Sequence, residues 1–286
     1  MEIVVRVPGS CGELVQGSLG GKPFLVTCPI DCYTEVRISD AIEGIHGLGR
    51  KSLMSLERTM SLLGKEEFPF GIQLTSELPH GKGMASSSAD ISAVASAVSI
   101  AFGIPLSFHQ ILQLAAAIEP TDGTFLPNIV RLDYLSGEII EYFSHIPTFQ
   151  ISIFDTGGEI DTVVFNQQED LTERVAQKES FMGKALHLLR QGTDESIAEA
   201  ATISALAHQN ILHKDHLSEI LELVKREGAL GVCIAHSGTV LGVLWHNNES
   251  EKTDLNNYAM RIAAKFPHLT YIKQTHLIPG GIYRII

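Results

Sequence analysis

Cysteine is scarce in this chain. Cys11, Cys28, Cys32 and Cys233 are too few and too scattered over 286 residues to form a disulfide framework, and a chain of this length builds a core without one. They read as reduced thiols. Cys28 and Cys32 stand close in sequence, but no second pair completes a tetrahedral zinc site. A run of about 18 apolar residues is also missing, which excludes a membrane-spanning helix. The opening Met1-Glu2-Ile3-Val4-Val5-Arg6 has no basic segment leading into an apolar core, so secretion is not expected and a cytoplasmic location is. Basic residues are short as well: 21 Lys and Arg against 33 Asp and Glu leave a formal charge of -12, the wrong sign for a protein that condenses on phosphate backbones.

What is present is a globular balance, with 44% hydrophobic and 19% charged residues. At roughly 150 residues per domain the length predicts two lobes. Strand-like runs cover Glu2 to Val7, Phe24 to Cys28 and Tyr33 to Ile38, punctuated by Gly20-Gly21 and Pro29. Leu53, Leu56, Met60 and Leu63 predict a helix ending at Gly64. A strand follows at Phe70 to Thr75, and Ile91, Val94, Val98 and Ala101 mark the clearest helix, stopped by Gly103-Ile104-Pro105. A shorter helix spans about Ser107 to Ile118, before strands near Ile129 to Asp133 and Ile139 to Phe143. Pro147 is the expected boundary, giving lobes at 1–147 and 148–286. Beyond it come a strand (Gln150 to Phe154) and helices near Asp170 to Arg190, Asp194 to Gln209 and Lys214 to Arg226. Paired strands at Gly231 to Ala235 and Val240 to Trp245, a helix near Leu255 to Lys265, and strands at Leu269 to Lys273 and Gly281 to Ile286 finish the chain. The elements interleave without a βαβ rhythm, so the fold class is α+β with two lobes, not a Rossmann sheet.

The most informative segment is Pro79-His80-Gly81-Lys82-Gly83-Met84-Ala85-Ser86-Ser87-Ser88, which leaves a strand and opens the best helix. Small residues let backbone N–H groups approach a ligand, and the free N–H groups of a helix start favour an anion. The hydroxyls can donate to phosphate oxygens or ligate Mg²⁺ beside a carboxylate, and Lys82 can neutralise part of a triphosphate. A capping box of Ser87 and Asp90 accounts for one serine only. No Gly-Lys-Ser or Gly-Lys-Thr ends the loop, so it is not a Walker A motif.

The segment resembles the second motif of the GHMP kinases, the superfamily named for galactokinase, homoserine kinase, mevalonate kinase and phosphomevalonate kinase. That motif reads Pro, three variable residues, Gly, Leu, Gly, Ser, Ser, Ala; here Met84 stands for Leu, Ala85 for the following Gly and Ser88 for Ala. Val7 to Gly17, taken alone a strand closed by a glycine-studded loop, resembles the first motif, which lines the acceptor through Ser10, Cys11, Gly12 and Glu13. Many members carry a lysine where this chain has Ser10. Gly228 to Gly242 offers a third motif without the usual dense glycine run, and its His236-Ser237-Gly238-Thr239 turn reads equally as a tight hairpin or a substrate contact.

Pro8 to Gly17 together with Ile118-Glu119-Pro120-Thr121-Asp122-Gly123 looks most like the L-threonine kinase branch. The resemblance implies an N-terminal lobe sharing its topology with a ribosomal protein domain and a ferredoxin-like C-terminal lobe. It implies ATP and Mg²⁺, with L-threonine phosphorylated to O-phospho-L-threonine for cobalamin assembly. By the same resemblance Ser87 and Glu119 hold Mg²⁺, and Asp122 accepts or orients the hydroxyl proton. Glu13 is the expected partner of the threonine ammonium. Homoserine, serine and mevalonate remain alternative acceptors, and a silent ligand-binding relative would have lost the acids this chain keeps. The expected partner is thus a small molecule, neither nucleic acid nor membrane, and the sequence sets no oligomeric state.

Overall fold

Two strands of 18 residues, β1 (Glu2–Leu19), buried along most of its length, and β2 (Lys22–Ser39), whose burial alternates only in its second half, are joined by Gly20 and Gly21 at φ +61 and +73, angles that cost glycine little. The computed structural model describes residues 1–158, 170–247 and 252–286. After this hairpin come β3 (Ile45–His46), α1 (Arg50–Leu62), β4 (Gly71–Ser76), α2 (Ser86–Ala101), α3 (Phe108–Ala116), β5 (Ile129–Asp133) and β6 (Glu138–Phe143). The second half holds β7 (Phe149–Asp155), α4 (Leu171–Ala176), α5 (Glu179–Gln191), α6 (Asp194–His208) and α7 (Leu217–Arg226). It ends with β8 (Gly231–Ile234), β9 (Val240–His246), α8 (Lys252–Lys265), β10 (Thr270–His276) and β11 (Tyr283–Arg284).

The α+β expectation holds. One continuous sheet runs β10-β7-β9-β8-β1-β2-β4-β3, with β11 beside β1 and β5 bridging β2 to β6. The two halves meet where Glu13 of β1 pairs with Ile234 of β8, and the chain end returns to β1 through Val5 and Arg284. A large core spans both halves, while a second one gathers Leu217, Ile220 and Val224 of α7 with Trp245, Ala259 and Ile262.

Two expectations are corrected. Val7 to Gly17 is not a loop: it stays inside β1, whose register against β2 slips between Pro8 and Ser10, Ser10 and Glu13, and Glu13 and Val15. These bulges absorb the glycines and turn the strand. Gly12 sits at φ +60, and a Cβ there would lie 2.3 Å from the Ile234 carbonyl oxygen, so the crossing onto β8 requires glycine. In α1, Leu56 is buried as expected, but the rest of the buried stripe is Ser52, Ser55 and Thr59, while Leu53 lies outside it. The facing helix α2, buried on nearly every side and rich in Ala and Ser, lets the backbones approach closely, and the Ser55 hydroxyl donates to Ile91 O at 2.7 Å.

Candidate active site

The helix start at Ser86 is set by an unusual residue. Ala85 occupies the N-cap at φ +55, left-handed backbone that a side chain disfavours, and no side chain caps α2. The capping box of Ser87 and Asp90 therefore does not form. Asp90 instead accepts from the Thr34 hydroxyl at 2.7 Å, and the first N–H groups of α2 keep their donors free of any side-chain cap. These donors open onto a cavity of about 500 Å³.

The loop before the helix is held from two sides. Ser10 N donates to Met84 O at 3.0 Å, and Gly9 tolerates the contact because a Cβ would fall 2.7 Å from that oxygen. On the other side the β8–β9 turn presses against the loop: Thr239 N and Val240 N donate to Lys82 O at 2.9 and 3.1 Å, and a Cβ on Gly238 would lie 2.4 Å from Gly83 Cα. The turn is thus both a tight hairpin and a clamp, and Ser237 reaches the cavity wall. Lys214, buried nearby, donates to Gly238 O, and burial lowers its ammonium to about 8.

Of the loop residues, His80, Gly81, Gly83, Met84, Ala85, Ser86, Ser87 and Ser88 line the cavity, whereas Pro79 and Lys82 do not. The Lys82 ammonium pairs with Asp155 at 2.8 Å and donates to Gly158 O at 2.6 Å, which ties the loop to β7 instead of aiming the charge into the cavity. Ser88 accepts from Asp122 N at 3.0 Å and donates to its carboxylate at 3.3 Å, while the Ser86 hydroxyl lies 3.4 Å from His80 Nδ1. Ser87 is half-buried and makes no side-chain hydrogen bond among the described residues. Of Ser10, Cys11, Gly12 and Glu13, only Glu13 reaches the cavity; Ser10 is buried against the loop, and Cys11 is buried against Cys233 and Gly242.

Three acids predicted from sequence converge here. Glu119 is buried, with Oε2 on the Lys51 ammonium and Oε1 without a partner. Asp122 is pushed up to about 8, first by loss of water and then by the Glu13 and Glu119 charges. Glu13 is likewise raised to about 8 by burial, against the His236 backbone N–H that donates to it at 2.9 Å. The same Glu13 oxygen meets His236 Nδ1 at 2.9 Å, and His236 Nε2 meets the Ser204 hydroxyl at 3.0 Å. Burial drives the His236 ring down to about 3, so it stays neutral. Asp90, raised to about 6 mainly by burial, adds a fourth acid. The sequence reading missed Asp90 as a wall residue, and with it Gln16, Tyr134, Arg50 and Lys51. Nothing local to α1 points at Glu119; only the packing of α1 on α2 and α3 brings Lys51 to it. His213 and His216 are exposed beside Asp215 and Glu219, as a solvated surface requires.

An uncapped helix start, a glycine-lined loop and carboxylates around one cavity form an anion cradle with room for a second, cation-bearing ligand. The family model for the GHMP kinases N terminal domain matches residues 52–125 and that for the GHMP kinases C terminal matches residues 185–258, together just over half of the chain. A protein named L-threonine kinase from Salmonella typhimurium is 29% identical over 98% of this chain and 94% of its own length. Another of that name from Citrobacter freundii is 28% identical over 87% of this chain and 88% of its own. Among solved structures, a putative homoserine kinase from Listeria monocytogenes superposes with a TM-score of 0.69 at 18% identity, covering 99% of both chains. With both family models matched in order and the fold shared end to end, the chain belongs to the GHMP kinases, enzymes that phosphorylate an alcohol.

Proposed function

We propose that this kinase uses Mg²⁺ and ATP to phosphorylate the side-chain hydroxyl of L-threonine, giving O-phospho-L-threonine for cobalamin assembly in the cytoplasm, with its lobes divided near Pro147. The observation that carries the reading is the uncapped start of α2 facing Glu119, Asp122 and Glu13 across one cavity. Its acceptor is further supported by two relatives named L-threonine kinase that align over most of the chain.

The roles follow from the chemistry of each group. Backbone N–H groups at Ser86 to Ser88 bind phosphate oxygens without needing to reorganise. The partnerless Glu119 oxygen and the free Ser87 hydroxyl are oxygen donors that would suit a hard divalent cation. Held by these two residues, such a cation would supply positive charge against the charge that develops during transfer. Ser88 holds Asp122 by backbone and side chain, which fixes the carboxyl that receives or orients the acceptor proton. Glu13 keeps one oxygen on His236 and offers the other to an ammonium. Aligning acceptor and phosphates contributes more than the base, because phosphoryl transfer requires little covalent help from a protein.

The test is a screen of the purified protein with Mg·ATP against threonine, serine, homoserine and mevalonate, read by phosphorus NMR. O-phosphothreonine is the expected product. Phosphorylation of mevalonate and of none of the amino acids overturns the substrate assignment, and no phosphorylation of any alcohol overturns the kinase mechanism proposed for this cavity.

A further inference from the structure

The two oxygens of Glu119 are in different states. Oε2 is held by the Lys51 ammonium while Oε1 is buried with no hydrogen-bond partner, and the side chain as a whole is only 4% exposed. A carboxylate so enclosed is poorly compensated by one cation on one side. That cation is itself 41% exposed and comes from the first turn of α1, so the pair spans the rim of the cavity and solvent reaches the ammonium more easily than the carboxylate. Ser87 and the start of α2 line the same space.

Resting on the metal and nucleotide reading above, we propose that Lys51 is a placeholder cation. It neutralises Glu119 in the empty enzyme, gives that carboxylate up to the divalent cation that enters with the nucleotide, and transfers its ammonium to the phosphate oxygens. The exchange is favourable only as a pair. A divalent cation arriving alone must strip Lys51 from Glu119 and leave the ammonium to water, whereas one arriving on a triphosphate brings the anionic oxygens that receive it. Lys51 thereby couples metal to nucleotide and discourages idle metal binding.

Binding measurements on Lys51→Met and Lys51→Arg test this, with circular dichroism and melting to confirm folding. Mn²⁺ is the metal probe, read from the paramagnetic resonance signal of the free ion; a non-hydrolysable ATP analogue in chelator is the nucleotide probe. Lys51→Met binds Mn²⁺ alone ~10-fold more tightly than wild type, about 1.4 kcal/mol. The same variant binds the metal-free analogue ~3- to 10-fold more weakly, because a phosphate contact is lost. Lys51→Arg keeps both wild-type affinities. Opposite shifts in two affinities are a signature that simple loss of packing does not give. Equal Mn²⁺ affinity in wild type and Lys51→Met, while Glu119→Gln still weakens Mn²⁺ in the presence of the analogue, overturns the placeholder and leaves the metal reading standing. Unchanged Mn²⁺ affinity of Glu119→Gln in the presence of the analogue brings down the metal reading and the placeholder together.

Discussion

Gly238→Ala isolates the clamp between the β8–β9 turn and the loop that leads into α2. The residue has no positive φ, so the substitution strains no backbone and acts through the added methyl alone. That methyl would lie 2.4 Å from Gly83 Cα, 2.4 Å from Lys82 O and 2.5 Å from Gly83 N, all backbone atoms that cannot rotate away. Restoring an ordinary 3.4 Å contact moves the loop by about 1 Å and stretches the two hydrogen bonds to Lys82 O. Displacement of that size in a positioning element costs ~10²-fold in rate, and overpacking costs about 1–3 kcal/mol of stability. Steady-state kinetics with ATP varied should therefore show kcat/KM down ~10²-fold, and melting should fall by about 2–4 °C per kcal/mol. Gly183→Ala is the control: it lies in helix α5 with nothing within 4 Å of an added Cβ, and it should be neutral or stabilise by about 0.5–1 kcal/mol. Wild-type kcat/KM and melting in Gly238→Ala refute the claim that this turn sets the loop.

Ser87→Ala or Glu119→Gln should each lower kcat ~10²-fold, the scale of losing one preorganised electrostatic contact; near-normal turnover at limiting Mg²⁺ discards the metal assignment. Asp122→Asn should cost ~10²- to 10⁴-fold in single-turnover phosphorylation with ATP affinity kept, and a loss of only a few-fold reduces Asp122 to a positioning residue. Ala85→Gly removes a left-handed alanine at φ +55; the relief of about 1–2 kcal/mol, less about 0.4–1 for the more flexible unfolded chain, should leave a net gain of up to about 1.6 kcal/mol in denaturant unfolding. Glu13 and Asp122, both raised to about 8, bind protons more tightly folded than unfolded, so the stability they add is complete below an unfolded carboxyl pKa of about 4 and drains as pH climbs to about 8. Between about pH 6.5 and 7.5, above the range where the buried neutral His208 and His236 oppose this trend and below the point where the buried Lys214, lowered to about 8, opposes it in turn, the stability of the ligand-free protein should fall by up to ~1.4 kcal/mol per pH unit per group; a rising profile in that window contradicts the buried-acid picture, and Asp122→Asn should lessen the slope.

Local signals served well wherever the chain's own periodicity decided the outcome. Helix α2 and its stop at Gly103, the capped start of α3 at Ser107 and the β8–β9 hairpin all lie where residue spacing puts them. The sequence misleads where a distant partner decides. The glycines of Val7 to Gly17 suggest a loop, yet Gly9 admits Met84 O and Gly12 admits Ile234 O, so they serve crossings inside an unbroken strand. In α1 the expected leucine face yields to serines and a threonine because the small residues of α2 lie opposite. Lys82 looks like a phosphate ligand from its place between two glycines, but Asp155, far along the chain, takes its charge. Such positions are fixed by tertiary pairing, and no window of neighbouring residues contains the information.

The acids of the cavity also bear on which alcohol it takes. A wall holding Glu13, Asp90, Glu119 and Asp122 stores unfavourable energy when empty, since burial raises three of these carboxyls, two of them to about 8. Lys51 neutralises Glu119, and Thr34 and Ser88 donate to Asp90 and Asp122, while Glu13 hydrogen-bonds only a neutral imidazole and a backbone N–H, and the charge of the buried Lys214 does not offset its burial. A divalent cation at Glu119 leaves this deficit on the Glu13 side untouched. An acceptor carrying its own ammonium removes it, and one bearing only hydroxyl and carboxylate groups adds to it. On the substrate assignment proposed above, this balance is the reason to expect an amino-acid alcohol over mevalonate, and Glu13→Gln should narrow that preference by raising KM for threonine while leaving KM for ATP in place.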